Sequence, residues 1–284
     1  MATPEEAEAL KQVLGDISTL VISDLVGAWR RFDGAPNMRD LFYAVFPEII
    51  APHAETAAEF TAAWYESLAP HLRYDAFPVV NLPAERMLGS LDWAFDAPGE
   101  ATPLERITGS SQRMIFDASR DTVIENLALE YGADESQPAG TRWARYASAN
   151  ACSFCRLLAT RGAEYRSAES AVSVVGRGAQ LTNADRRQVA QGVATADELL
   201  ALREQRRGGR RGALRGGRKH GDKYHDNCRC VAVPVRPGET YTPPPYVRRW
   251  EQEYERARQA AIDAGERADL KTVVKWMDRG SGSD

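Results

Sequence analysis

Cysteine and histidine are scarce in this 284-residue chain, four of each. So few thiols exclude a disulfide-built scaffold, which small secreted domains use in place of a core. Long apolar runs are missing too. The best stretch, residues 20–29, is interrupted by Asp24, and no signal-peptide pattern opens the chain. A membrane partner is therefore not expected, and the protein is expected to act in a cytosol or in something assembled there. The chain contains no G-x-x-x-x-G-K-[ST], no G-x-G-x-x-G, no G-x-S-x-G and no H-E-x-x-H. Nucleotide hydrolysis, dinucleotide binding and the commonest hydrolase and zincin chemistries thus lack their signatures, and no small-molecule substrate is expected.

What cysteine there is falls into two tight clusters, Cys152-Ser-Phe-Cys155 and His225-Asp-Asn-Cys228-Arg-Cys230. Cys152 and Cys155 stand at helical i,i+3 spacing, so both thiols share a face. Cys228 and Cys230 stand at i,i+2, which suits one face of a strand. Together with His225 they offer five candidate ligands for a structural zinc, a soft divalent ion that takes four in a tetrahedron. The gap between the clusters excludes one small zinc finger, so the intervening chain must fold back if they meet. Two other readings use the same residues. The thiols can be disulfides or buried small hydrophobes, or one can be a nucleophile with His225 as its base.

Charge divides the chain. Residues 1–140 hold 9 Lys and Arg against 23 Asp and Glu, a balance of −14; residues 141–284 hold 27 against 17, a balance of +10. Two halves of opposite sign suggest two domains with different partners. The first reads as all-α. Thr3 before Pro4, with Glu5, Glu6 and Glu8 behind, marks a helix start at residue 4. Leu10, Val13, Leu14, Ile17, Leu20, Val21, Leu25 and Ala28 give it an apolar stripe. Further helices are predicted over 37–50, 53–69, 83–95 and 103–131, punctuated by prolines, the last with Ile107, Met114, Ala118, Ile124, Leu127 and Tyr131 near one face. His53 and His71 read as surface or capping groups.

The polar stretch 133–141 is taken as the boundary. The expected architecture is α+β and predominantly helical, with a helical domain over 1–135, a small Cys/His-pinned α+β domain over 141–236, and one extended helix over 246–280 after Pro243-Pro244-Pro245. In the middle domain a strand is predicted over 142–147, a helix carrying the first cysteine pair over 149–161, further elements at 171–175 and 183–204, and a strand over 228–235. The terminal helix carries Trp250, Tyr254, Ala257, Ala261, Ala264 and Ala268 as a narrow seam, suited to close packing on its own N-terminal domain or on a partner subunit. Residues 203–223 carry nine basic residues, among them Arg203, Arg206, Arg207, Arg210, Arg211, Arg215, Arg218 and Lys219, against two acidic ones, with six glycines. That composition fits either a solvated loop or sequence-independent contact with nucleic-acid phosphates.

The segment Arg142-Trp143-Ala144-Arg145, then Ala151-Cys152-Ser153-Phe154-Cys155-Arg156-Leu157-Leu158-Ala159-Thr160-Arg161-Gly162, and the closing Tyr224-His225-Asp226-Asn227-Cys228-Arg229-Cys230-Val231-Ala232-Val233-Pro234-Val235 resemble the MuF-like minor head proteins of tailed bacteriophages, in the version found in phages of actinobacteria. The resemblance covers about residues 142–235. It implies a virion protein present in few copies near the portal vertex or inner capsid wall, assembled in the host cytoplasm and tied to head assembly and DNA packaging or delivery. Portal protein, major capsid protein and packaged DNA are the partners it implies. Relatives also labelled capsid maturation proteases supply an alternative, with Cys152 or Cys155 and His225, or a serine with His53 or His71, as candidate groups. A zinc-containing nucleic-acid-binding protein is a third reading.

Overall fold

The computed structural model describes residues 2–130, 140–165 and 229–280. These belong to one of the chain's two compact units, Met1–Val172 with Asp226–Asp284; the other is Ser173–His225. Described residues form seven α-helices and a two-stranded antiparallel sheet, an α+β fold that is mostly helical.

Helix α1 (Pro4–Phe32) begins as its sequence dictates. The Thr3 hydroxyl accepts from the Glu6 amide at 3.2 Å, and the Thr3 amide donates to the Glu6 carboxylate at 2.7 Å. This reciprocal box satisfies two of the amides that a helix start leaves without partners. Leu10, Leu14, Ile17, Val21 and Leu25 are buried along one stripe. Leu20, placed in that stripe by the sequence reading, is 59% exposed, because it lies beyond the face that α2 and α4 cover.

Helix α2 (Met38–Ser67) is one helix where the sequence reading has two. Pro47 and Pro52 sit inside it, each removing one i→i−4 bond at a cost of about 3 kcal/mol. Phe42, Phe46, Ile50, Ala54, Ala57, Thr61 and Tyr65 recur every three or four residues through both prolines and are buried. That continuous apolar face holds the helix together across them. Trp29, Phe42 and Phe95 meet with ring centroids 5.4–6.3 Å apart and join α1 and α2 to α3 (Ala84–Asp96).

Helix α4 (Pro103–Glu130) is the axis of the fold. The expected single apolar face is corrected here: buried residues occur all around it, including Ser110, Ser111, Gln112, Asp117, Arg120, Thr122 and Asn126. It packs on α1, α2, α3 and the sheet, and a further segment over residues 74–82, outside any helix or strand, runs along it. Asn126 accepts from the Phe77 amide at 3.0 Å and donates to the Phe77 carbonyl at 2.7 Å; Thr122 accepts from the Val79 amide at 3.0 Å. Four helical residues rise about 6 Å and two strand residues advance about 6.6 Å, so side chains four apart on the helix match amides two apart on that segment.

Strands β1 (Arg142–Tyr146) and β2 (Val231–Val235) pair antiparallel from Arg142↔Val235 to Tyr146↔Val231. One face, Ala144, Tyr146, Val231 and Val233, closes the helical core. The other carries Trp143 and Arg145, which are also buried, so the sheet is covered on both sides. Pro234 lies opposite Trp143, whose amide turns away to the Tyr165 carbonyl at 2.9 Å. Proline therefore occupies a pair that exchanges no ladder bonds, where its missing N–H costs nothing.

Helix α5 (Ser153–Ala159) is shorter than the expected 149–161. The expected single C-terminal helix is two, α6 (Val247–Asp263) and α7 (Leu270–Gly280). Gly265, at φ +71°, ends α6: its amide donates to the Ile262 carbonyl and the Glu266 amide to the Ala261 carbonyl, both at 2.9 Å, the paired bonds of a Schellman stop. Asp269 then caps α7 by accepting from the Thr272 amide at 2.9 Å. The seam is corrected accordingly. Trp250, Ala257 and Ala261 are buried, Tyr254 is half-buried, and Ala264 and Ala268 are exposed. What meets Ala257 is α5 and α7, in a small core with Leu157, Leu158, Val273 and Met277. Among the described residues no helix is long and apolar enough to cross a membrane.

Candidate functional site

Cys152 is exposed at the N-terminal cap of α5, and Cys155, on the helix itself, is 3% exposed. Cys230 immediately precedes β2 and is 2% exposed. Continuing the alternation of β2 puts its side chain on the sheet face of Trp143 and Arg145. Helix α5 packs on β1, and the Tyr165 hydroxyl ties the two by donating to the Leu158 carbonyl at 2.9 Å. His225 and Cys228 lie outside the described residues, as do Arg203, Arg206, Arg207, Arg210, Arg211, Arg215, Arg218 and Lys219. Thiols are the soft donors that zinc takes. Among the described residues no three His, Cys, Asp or Glu side chains gather as a metal group.

The surroundings of Cys230 come from far away in sequence. Arg120 on α4, fully buried, donates from Nε at 3.0 Å and from Nη2 at 2.6 Å to the Cys230 carbonyl. Its Nη1 donates to Asp117 at 2.8 Å, and the other Asp117 oxygen accepts from Arg86 of α3. Five residues before Asp117, Gln112 accepts from Nε and Nη2 of Arg229 at 3.3 and 3.2 Å. Burial raises the pKa of the Tyr165 and Tyr246 phenols above the usual value, and a charge on Cys230 would push both in the same direction. At the far end of β2, Arg236 forks onto Glu130 with two bonds of 2.8 Å and stacks 5.1 Å from the Tyr65 ring, whose hydroxyl donates to the same carboxylate.

None of these α4 partners is marked in the sequence. Asp117, Arg120 and Gln112 read there as the polar side of an amphipathic helix, and only the wrapping of α4 makes them interior. The histidines named from sequence have plain surroundings. His53 lies inside α2, with Nδ1 2.8 Å from the Ile49 carbonyl and Nε2 3.4 Å from Asp24; His71 is exposed in the short 3-10 turn Pro70–Leu72. A notch of about 430 Å³ between α5 and α6 is lined by Leu157, Thr160, Arg161, Glu251, Tyr254 and Glu255.

These features define a mostly helical α+β protein in which the cysteine just before a core strand is anchored by its carbonyl on a buried central helix. The family model described as "VG15 protein" matches residues 1–181 and 201–257. The chain belongs to that phage-associated family and is a phage protein. No curated protein and no solved structure matches it.

Proposed function

We propose that this phage protein is a structural component of the virion, a MuF-like minor head protein. It would act in few copies at the portal vertex or inner capsid wall, in head assembly and in DNA packaging or delivery. The observation that carries the reading is the position of the motifs within the family match. Cys152-x-x-Cys155 falls in its first segment and His225-x-x-Cys228-Arg-Cys230 in its second, so the family match spans both halves of the MuF-like pattern. The fold is compatible with such a role, since the polar side chains at the heart of α4 bond to backbone and to one another, as a scaffold requires.

On this reading the cysteine–histidine segment pins the second half of the chain to the first. A zinc ion held by four of Cys152, Cys155, His225, Cys228 and Cys230 would be structural and would contribute folding energy directly. The basic stretch over 203–223 would meet packaged DNA through phosphates alone. Replacing Arg206, Arg207, Arg210 and Arg211 by Gln is then expected to weaken DNA binding at low salt and leave folding unchanged.

Mass spectrometry of purified particles against empty procapsids tests the role. A structural subunit persists at fixed stoichiometry in mature particles. Loss of the protein on maturation, with cleavage of head proteins that depends on its presence, would replace this reading by the capsid maturation protease. Absence from both particle forms would end the virion role.

A further inference from the structure

Arg120 is placed where an apolar side chain would fill the same space without desolvating a charge, a cost of several kcal/mol for a buried ion. Asp117 offsets that charge, itself held from its other oxygen by Arg86. What the guanidinium adds is geometry. Two of its N–H groups converge on one carbonyl oxygen, that of Cys230. A fork of this kind fixes both the distance and the plane of the acceptor, which a single donor on a flexible stem does not. Fixing the peptide that leaves Cys230 fixes its Cα–Cβ bond, and with it the place of the thiol on the Trp143–Arg145 face of the sheet. Gln112 holds the preceding residue through the Arg229 side chain, so two side chains from one face of α4 grip consecutive residues of the Cys-Arg-Cys motif.

We infer that Arg120 is a positioning residue for Cys230, and that Asp117 and Arg86 hold Arg120 to that task. The line Arg86–Asp117–Arg120–Cys230 runs from α3 through α4 to the start of β2. It couples the packing of the acidic helical half to the thiol segment of the basic half. The inference rests on the reading above, in which that segment pins the protein, only for its biological consequence.

Arg120→Lys in the full-length protein keeps the positive charge beside Asp117 and removes the fork. The measurement is the rate of alkylation by iodoacetamide under native conditions, followed on the separate cysteine peptides by mass spectrometry. Cys155 is as deeply buried as Cys230 but on α5, so it reports general loosening. In the variant Cys230 is expected to react about tenfold faster, by local opening at β2, with Cys155 unchanged. Parallel acceleration of both thiols, or no change in either, would overturn the inference. Arg86→Gln alters a partly exposed member of the same line, and it decides the matter should Arg120→Lys fail to fold. A smaller acceleration confined to Cys230 supports the inference, and equal rates at both cysteines refute it. Incorporation into particles separates the two ideas. If Cys230 is selectively released yet the variant enters particles at the parent's stoichiometry, the positioning stands and the pinning role fails.

Discussion

Arg236 and Glu130 are 4% and 2% exposed in their side chains and meet in a bidentate pair. A buried pair adds little beyond what apolar side chains of similar size would, but removing one partner strands the other charge. Arg236→Met is therefore expected to cost about 3–5 kcal/mol, read as a drop in urea midpoint at unchanged slope. The same corner makes stability pH-sensitive on the alkaline side. Burial, aided by the bond to Glu130, raises the pKa of Tyr65 well above its ordinary value, and burial does the same for Tyr146 and Tyr241. In the unfolded chain these phenols lose their protons near pH 10. Above that pH the unfolded state binds fewer protons than the folded one, so stability falls as pH rises. Their contribution is fully present below about pH 10 and lost as pH climbs towards the raised values. Thermal melts at pH 8.5 and 11 should show the drop, and Tyr65→Phe should shrink it.

Two glycines separate backbone strain from packing among the elements. An added Cβ at Gly265 or at Gly15 meets nothing within 4 Å, but Gly265 has φ +71° whereas Gly15 is in the middle of α1. Gly265→Ala should lose about 1 kcal/mol at the α6–α7 turn. Gly15→Ala should gain about 0.5–1 kcal/mol. Urea melts of the two single variants give both signs, and the same sign for both would contradict the account. Gly265 also shows what the sequence made legible. The Thr3-Pro4 start of α1, the extents of α3 and α4, and both strands follow from local chemistry and are found within a few residues. The stop at Gly265 and the cap at Asp269 were just as readable, but the alanine steps across them gave a continuous helical period that masked the break. The prolines of α2 misled in the opposite direction, since a local penalty was outweighed by a buried stripe that only α1 and α4 complete. The candidate site was half legible. Spacing singles out the cysteines, whereas Arg120 and Gln112 sit more than a hundred residues from the backbone and side chain they hold, and nothing local distinguishes them from solvated helix residues.

At the scale of the whole molecule, the change of charge sign near residue 140 does not coincide with an edge of the core. Ala144, Tyr146, Val231 and Val233 belong to the same buried cluster as Leu14, Phe46, Ile107 and Met114. The Tyr146 hydroxyl donates to Glu8 at 2.7 Å, and Arg120 and Glu130 on α4 find Cys230 and Arg236 on the far side of that boundary. Residues 1–140 expressed alone would bare the side of α4 that the sheet covers and leave the Glu130 carboxylate without its guanidinium. Such a fragment should keep its helical far-ultraviolet signal, lose near-ultraviolet signal from its aromatics, bind a hydrophobic dye and melt without a sharp transition. The complementary variant replaces Ser173–His225, the second compact unit, by a flexible Gly/Ser linker. Both strands and every α4 contact named above remain in it, and added loop length costs only about 0.6 kcal/mol per doubling. It should therefore melt cooperatively, close to the parent. Cooperative melting of 1–140 with an intact near-ultraviolet spectrum would show that the sheet is an accessory to a complete helical domain. Loss of cooperativity in the linker variant would show that the core also depends on residues 173–225. The expected pair of results makes the sheet an integral wall of the helical core, and places the division of the chain inside its basic half.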